Sequence, residues 1–196
     1  DPLRQLLQDF PESPHRAEAY FHLGQIYAEL YRWIDAAEAY AGYLNLRPGV
    51  IDAYVSEQRG DALTAAGDYA NALAAYQAAA NSPRLPTDFS LEVKLARTYA
   101  LLGDTATALI AYDDIIARTA SEYTQAQAYY LKGQTYMAAG QPDEAYAAYL
   151  HAVENYPLSY YSYLSLVELI TVDYPVDDLD RGLVDYYAEQ YDVALV

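Results

Sequence analysis

Three histidines, His15, His22 and His151, are the residues of this chain best suited to metal binding. Two histidines on one helix can hold the same ion when they lie on one face, three or four residues apart. No two of these histidines have that spacing, and the chain contains no cysteine that could complete a set of ligands. The sequence therefore predicts no metal site.

Two groups of carboxylates could in principle act in hydrolysis or bind calcium. The group Asp177, Asp178 and Asp180 lacks the central glycine and terminal glutamate of a calcium-binding loop. We interpret it as the start of a helix, where carboxylates complement the dipole. Asp113 and Asp114 are neighbours on a predicted helix, so their side chains point in different directions.

No spacing in the chain supports a Ser/His/Asp or lysine-based nucleophile, and there is no glycine-rich loop for phosphate. We therefore assign no catalytic residue and no cofactor, and we expect a protein that is not an enzyme.

The composition is acidic and rich in tyrosine, with 24 Tyr against 3 Phe and 1 Trp. The net charge of −17 argues against a nucleic-acid partner, because phosphate contacts need clustered Lys and Arg. The same charge would attract a basic partner. No apolar run reaches the roughly 18 residues that a membrane-spanning helix needs, so direct membrane insertion is not expected.

A repeat of 36 or 37 residues runs through most of the chain. Its first position is held by Gly24, Gly60, Ala96 and Gly133. An alanine follows twelve residues later and a tyrosine sixteen residues later. These tyrosines are Tyr40, Tyr76, Tyr112 and Tyr149. Because residues three or four apart share a helix face, each repeat predicts a pair of packed helices.

Glycine marks the turn inside each predicted pair. Gly67, Gly103 and Gly140 are placed to end the first helix, since glycine tolerates the left-handed conformation found there. Pro142 fits the first turn of the helix that follows.

Side-chain size indicates how the helices of a pair should meet. We expect Gly133 and Ala145 to let two helices cross, and Tyr136 and Tyr149 to fill the space to the next pair. The stretches "NSPRLPTD" and "RTASEYTQ" are expected to be longer turns between pairs.

This pattern resembles the tetratricopeptide repeat family. The four units that carry the resemblance are 17–50, 53–86, 89–121 and 126–157. The chain departs from the family pattern at three places, Ala96, Arg84 and Ala120. The resemblance implies an all-α, right-handed superhelical solenoid of antiparallel helix pairs, with a concave inner surface that binds peptides.

Segments at both ends flank the four units. Residues 1–16 are predicted to be a capping helix, Pro2–Asp9, and a linker. Residues 158–196 are predicted to hold additional helices, either a truncated further repeat or a cap. The stretches "FPESPHRAEAYFHLG" and "PVDDLDRGLVDYYAEQYDVAL" also resemble the helical region that precedes the catalytic domain of bacterial lytic transglycosylases.

The tetratricopeptide resemblance implies that the first helix of each pair lines the concave surface. The residues so implicated are Phe21, Gln25, Tyr54, Glu57, Asp61, Val93, Arg97, Tyr130, Gln134 and Met137. The same resemblance also places Glu18, Ala28, Thr64, Ser90, Ala100 and Gln127 on this surface. One subclass clamps chaperone carboxyl termini with lysines at such places, but here Phe21, Val93 and Tyr130 stand there, so a chaperone-tail receptor is not expected.

Three functions follow from this reading. The first is a bacterial interaction or scaffold module that binds an apolar or basic peptide, or a neighbouring domain, on the concave surface. The second is the helical arm of a lytic transglycosylase whose catalytic domain lies outside this chain. The third is a structural solenoid that self-associates head to tail. An exported location, whether periplasmic, envelope or extracellular, is favoured over a cytoplasmic one.

Overall fold

The computed structural model describes residues 2–83 and 89–190, and all regular structure in these ranges is helical. This confirms the predicted all-α fold. The helices are α1 (Pro2–Asp9), α2 (Arg16–Glu29), α3 (Trp33–Leu46), α4 (Asp52–Ala65), α5 (Tyr69–Asn81), α6 (Ser90–Leu101), α7 (Thr105–Arg118), α8 (Glu122–Ala138), α9 (Pro142–Asn155), α10 (Tyr160–Thr171) and α11 (Asp178–Tyr187). The chain forms two compact units, unit 1 (1–98) and unit 2 (99–196), with α6 divided between them.

Unit 1 is built around two helix pairs, α2 with α3 and α4 with α5. A short turn joins the helices of each pair, so the two run antiparallel. Their facing sides carry alanine, leucine and tyrosine, and the burial of these side chains forms the core. Leu3 and Leu7 of α1 pack against this core, and α1 therefore covers one side of it.

In unit 2, α8 and α9 form an antiparallel pair, α7 packs against α8, and α10 packs against both helices of the pair. The core of this unit contains Tyr149, Val153, Leu166, Leu169 and Val184. Since Val184 belongs to α11, the last described helix is anchored to the unit by a buried aliphatic side chain.

The repeated glycine makes room for the repeated tyrosine of its own helix pair. The pairs are Gly24 with Tyr40, Gly60 with Tyr76 and Gly133 with Tyr149. A Cβ atom added at Gly24 would lie 2.5 Å from Cε1 of Tyr40, far inside contact distance. The ring therefore packs on the glycine of its own pair, because a residue without a side chain leaves room for it. Tyr149 also shares the core with Leu166 and Leu169 of the following helix, α10, as expected of a ring that fills the space to the next pair.

The turns inside the pairs confirm the role of glycine. Gly67, Gly103 and Gly140 have φ angles of 79°, 80° and 74°, in the left-handed region. In the first pair the corresponding residue is Tyr31, which adopts the same region with a φ of 58°. The exposed ring of Tyr31 contacts the ring of Trp33 edge to face, with centroids 5.5 Å apart.

The stretch "RTASEYTQ" is not the long turn that we expected. Helix α7 ends at Arg118 and α8 already begins at Glu122. Ser121 stabilises this early start, because its hydroxyl accepts a hydrogen bond from the backbone N–H of Thr124 at 3.3 Å. The other predicted long turn, "NSPRLPTD", includes residues 84–88, which lie outside the described residues, as does the departure at Arg84.

Helix α11 begins where the aspartate cluster predicted a helix start. Asp177 is its N-cap, and its carboxylate accepts a hydrogen bond from the backbone N–H of Leu179 at 2.9 Å. The spacing of Gly182, Tyr191 and Ala194 predicts a further repeat; Gly182 lies in α11, and Tyr191 and Ala194 lie outside the described residues.

Within residues 2–83 and 89–190, none of the helices combines the length and apolar character that crossing a membrane requires.

Candidate functional site

In unit 1 the structure brings Phe21 of α2 and Tyr54 of α4 together. Their ring centroids are 6.3 Å apart. Phe21 also contacts Tyr43, with centroids 5.7 Å apart, and Tyr43 is buried in the core. Tyr54 is exposed, whereas Phe21 and its neighbour Gln25 are half-buried. This part of the surface is thus a partly open aromatic contact: the exposed ring of Tyr54 packs on the half-buried ring of Phe21, which in turn packs on the core.

Glu57 and Asp61 lie further along α4, and both bind the ammonium group of Lys94 on α6. The Nζ atom of Lys94 is 2.8 Å from Glu57 Oε1 and 2.8 Å from Asp61 Oδ2. The hydroxyl of Tyr76 donates a further hydrogen bond to Asp61 Oδ1 at 2.9 Å. Two predicted acidic contact residues are therefore already engaged by residues of their own unit.

Burial of the Lys94 side chain would by itself lower its pKa. The hydrogen bonds and negative charges of Asp61 and Glu57 outweigh this effect and raise the pKa of Lys94 above its ordinary value. Lys94 is consequently a fixed positive charge within the acidic part of the surface.

The two predicted residues of α6 differ in accessibility. Val93 is buried, with 5% of its surface exposed, and Arg97 is exposed. A valine side chain is shorter than the phenylalanine and tyrosine side chains of Phe21 and Tyr130, which occupy the equivalent position of other repeats. Val93 is therefore unsuited to direct contact with a partner in this structure.

In unit 2 a continuous stripe follows one face of α8. Its members, which we call the α8 stripe, are Tyr123, Gln127, Tyr130, Gln134 and Met137. They occupy helix positions i, i+4, i+7, i+11 and i+14, so they share one face. All are at least partly exposed, and Tyr123 is 54% exposed. The buried residues of α8 lie on the two flanks of the stripe; they are Ala126, Ala128, Leu131, Gly133 and Thr135.

A tyrosine from α10 completes a row of rings beside this stripe. The ring centroid of Tyr161 lies 5.3 Å from that of Tyr123 and 5.8 Å from that of Tyr130. Tyr130 in turn lies 5.8 Å from the buried ring of Tyr149. The row is thus connected to the core at one end and open to solvent at the other.

Two glutamines of the stripe hold these rings by hydrogen bonds. Gln127 Nε2 donates to the hydroxyl of Tyr161 at 2.7 Å, and Gln134 Nε2 donates to the hydroxyl of Tyr130 at 2.8 Å. Rings that are fixed in this way lose less conformational entropy when a ligand packs on them.

Sequence reasoning missed Tyr123, Tyr161 and Lys94. Tyr123 lies seven residues before Tyr130, a helical interval that could have revealed it, but we placed residues 118–125 in a turn. Lys94 and Tyr161 are far in sequence from the residues that they contact, so no local pattern identifies them.

A second aromatic group lies between α8 and α9. The rings of Tyr129 and His151 have centroids 4.0 Å apart, and Tyr156 stacks on Tyr129 at 6.1 Å. Burial is the main cause that lowers the pKa of His151; Lys132 adds to this effect and Glu154 opposes it.

A groove of about 470 Å³ beside α1 is lined in part by Arg4, Tyr20, Tyr27 and Gly42. The guanidinium groups of Arg4 and Arg32 lie 5.2 and 4.6 Å from the centre of the Tyr27 ring. The Arg4 contact joins α1 to α2, and the Arg32 contact joins the start of α3 to α2. No group of three or more His, Asp or Glu suited to a metal ion occurs in the part of the chain that the structure describes.

Three family models of the tetratricopeptide repeat match this sequence. They cover residues 3–51, 91–118 and 126–157. No curated protein sequence matches the chain.

Several solved structures share the fold. Two are crystal structures of MamA. One is 24% identical, covers 78% of this chain and 85% of its own, and has a TM-score of 0.59. The other is 20% identical, covers 93% of this chain and 92% of its own, and has a TM-score of 0.61. A crystal structure of PilW, described as a widely conserved type IV pilus biogenesis factor, is 17% identical. It covers 98% of this chain and 78% of its own, and has a TM-score of 0.57.

Proposed function

Because this chain belongs to the tetratricopeptide repeat family, we propose that it is a non-catalytic interaction module that binds an extended peptide segment of a partner protein. The contact surface is formed by first helices of neighbouring repeats, namely α2 with α4 in unit 1 and α8 with α10 in unit 2.

The observation that carries this proposal is a partly open aromatic contact of the same kind in both units. Phe21 and Tyr54 form it in unit 1, and Tyr130 and Tyr161 form it in unit 2. Aromatic side chains that are half exposed and held in place from below are typical of binding surfaces, because they bury a large area at a small entropic cost.

The charge of the molecule favours a peptide with basic residues near its ends. A net charge of −17 raises the local concentration of cationic partners and their rate of association. The aromatic contacts then supply short-range affinity through apolar side chains. The family as a whole is generally non-catalytic, which agrees with this assignment.

Selection from a random peptide display library against the full chain tests the proposal. Enriched peptides should bind Tyr54→Ala or Tyr123→Ala about tenfold more weakly, a typical effect for an aromatic anchor. Ile110→Ala is the matched control, since Ile110 is an exposed apolar residue on α7.

Failure to enrich any peptide, or equal binding by the tyrosine variants and Ile110→Ala, would show that these surfaces are not the binding site.

A further inference from the structure

We infer that the α8 stripe and Tyr161 recognise a proline-rich segment in the polyproline II conformation. This inference rests on the function proposed above and specifies the class of peptide that unit 2 takes.

The spacing of the stripe is close to the repeat of a polyproline II helix. Tyr123 and Tyr130 are seven residues apart on α8, which separates them by about 10.5 Å along the helix axis. A polyproline II helix completes one turn in three residues, over about 9.3 Å. Prolines three positions apart therefore recur at nearly the interval that separates the two tyrosines along the axis of α8. Met137, seven residues beyond Tyr130, continues this interval with an adaptable apolar side chain.

The side chains of the stripe suit both the rings and the backbone of a proline-rich segment. Proline rings pack against aromatic faces, which Tyr123, Tyr130 and Tyr161 provide. A polyproline II backbone makes no internal hydrogen bonds, so its carbonyl groups need external donors. Gln127 and Gln134 each use one amide hydrogen on a tyrosine hydroxyl, and the second hydrogen of each amide can donate to such carbonyls.

The α8 stripe carries no charge, although unit 2 is acidic. Residues 99–196 contain 15 of the 28 acidic residues and three of the 11 basic ones, yet the α8 stripe contains none. The only charged residues of α8 are Glu122 at its start and Lys132, which pairs with Asp113. A proline-rich segment has no charge in its repeating unit, so it can cover the stripe without burying an ionised group.

The other common modes of peptide binding fit this surface less well. Strand addition requires a free sheet edge, and residues 2–83 and 89–190 form helices only. An amphipathic helix presents large aliphatic anchors to an apolar groove, whereas this surface presents ring faces interleaved with amide groups.

Fluorescence anisotropy with labelled decaproline and the full chain tests the inference. We expect saturable binding to the wild-type protein and none to a labelled peptide of equal length that alternates glycine and serine. Tyr123→Ala should weaken decaproline binding about fivefold, the value of one aromatic contact, while Tyr123→Phe retains most of the affinity. Tyr187→Ala, on α11 and 51% exposed in the wild type, should bind as the wild type does.

Absence of saturable decaproline binding would overturn the inference. Equal binding of the glycine-serine peptide would also overturn it, as would unchanged affinity in both Tyr123→Ala and Tyr161→Ala. Circular dichroism of each variant separates loss of contact from loss of fold.

The library experiment distinguishes this inference from the proposed function. If selected peptides without proline depend on Tyr123 but decaproline does not bind, the proposed function stands and the polyproline II inference fails. If neither selected peptides nor decaproline bind, both fail.

Discussion

Lys94 is the residue on which the acidic part of unit 1 depends. Its ammonium group lies 2.8 Å from carboxylates of both Glu57 and Asp61, which occupy successive turns of α4. Without it, two negative charges would face each other in a partly buried place. A single lysine therefore both joins α6 to α4 and removes local repulsion.

Replacing Lys94 with methionine should lower the free energy of unfolding by about 1–2 kcal/mol, because partly buried carboxylates lose a charged hydrogen-bond partner. Arg97→Met is the matched control, since Arg97 is an exposed basic residue one turn further along α6. Urea denaturation measures both variants. Equal stability of the two would contradict the role of Lys94.

His151 should make stability fall as the pH falls. Its pKa is lower in the folded protein than in the unfolded chain, so the unfolded chain binds the proton more tightly. This contribution is fully present above the unfolded pKa of about 6.5 and is lost as the pH falls below that value. Lys132 and Glu154 are the charged groups that act on His151, while Tyr129, Asn155 and Tyr156 are its neutral neighbours.

The variant His151→Phe keeps a ring against Tyr129 and removes the titrating group. Between about pH 7.5 and 5.5, wild type should lose more stability than this variant in chemical denaturation. If the stability of the two proteins changed equally with pH, His151 would contribute nothing to the pH dependence of stability.

At the scale of elements, three helix pairs are held by a ring that packs where the neighbouring helix has no side chain. The contacts of this kind are Gly24 with Tyr40, Gly60 with Tyr76 and Gly133 with Tyr149. The first pair has a second contact of this kind in the opposite direction, because Gly42 of α3 faces Tyr20 of α2. The distance between the paired helices therefore depends on side-chain volume at single positions.

The variant Gly133→Leu should destabilise unit 2 by about 1–3 kcal/mol, because the new side chain occupies the space of the Tyr149 ring. Thermal denaturation followed by circular dichroism measures the change. Gln134→Leu, at the next and exposed position of α8, should leave the melting temperature nearly unchanged. Coincident melting of wild type and Gly133→Leu would place Gly133 outside the packed contact.

Backbone geometry gives a second prediction for a helix pair. Tyr31 holds a left-handed conformation with a φ of 58°, which disfavours any residue that has a Cβ atom. Tyr31→Ala and Tyr31→Gly both remove the contact with Trp33, but only glycine relieves the backbone. Tyr31→Gly should thus be more stable than Tyr31→Ala by about 1–2 kcal/mol in urea denaturation. If Tyr31→Ala were the more stable of the two variants, the left-handed conformation at this position would be contradicted.

Features that depend on the type of a single residue can be predicted from the sequence. Contacts between residues that are far apart in the sequence cannot. Turn glycines and the repeated tyrosines are visible because backbone freedom and size belong to the residue itself. The spacing places Tyr149 on a helix face but does not show how deeply its ring enters. The contact of Lys94 with Glu57 joins residues 37 positions apart, so it depends on how the helices cross. The same reason hides the place of Tyr161 in the candidate surface.

At the scale of the whole molecule, repulsion between carboxylates opposes folding. The chain has 28 acidic and 11 basic residues, so most carboxylates have no basic residue to balance them. Several of the ion pairs that form are solvent-exposed, and such pairs contribute little to stability. Screening by salt should weaken the repulsion more than it weakens these pairs.

Raising NaCl from about 0.02 to 0.3 M should therefore stabilise the protein by about 1 kcal/mol, or roughly 2–4 °C in Tm. Differential scanning calorimetry measures this shift, with an equal osmolality of sucrose as the control for effects unrelated to charge. A melting temperature that falls with salt would indicate that ion pairs outweigh the repulsion.

The contact between Tyr31 and Trp33 has a spectroscopic consequence. Trp33 is the single tryptophan of the chain and lies at the start of α3, in unit 1. Its emission under selective excitation therefore reports on unit 1 alone, while the tyrosines absorb in both units. Comparing tryptophan emission with circular dichroism during denaturation would show, without a label, whether the two halves of the chain unfold in one step or in two.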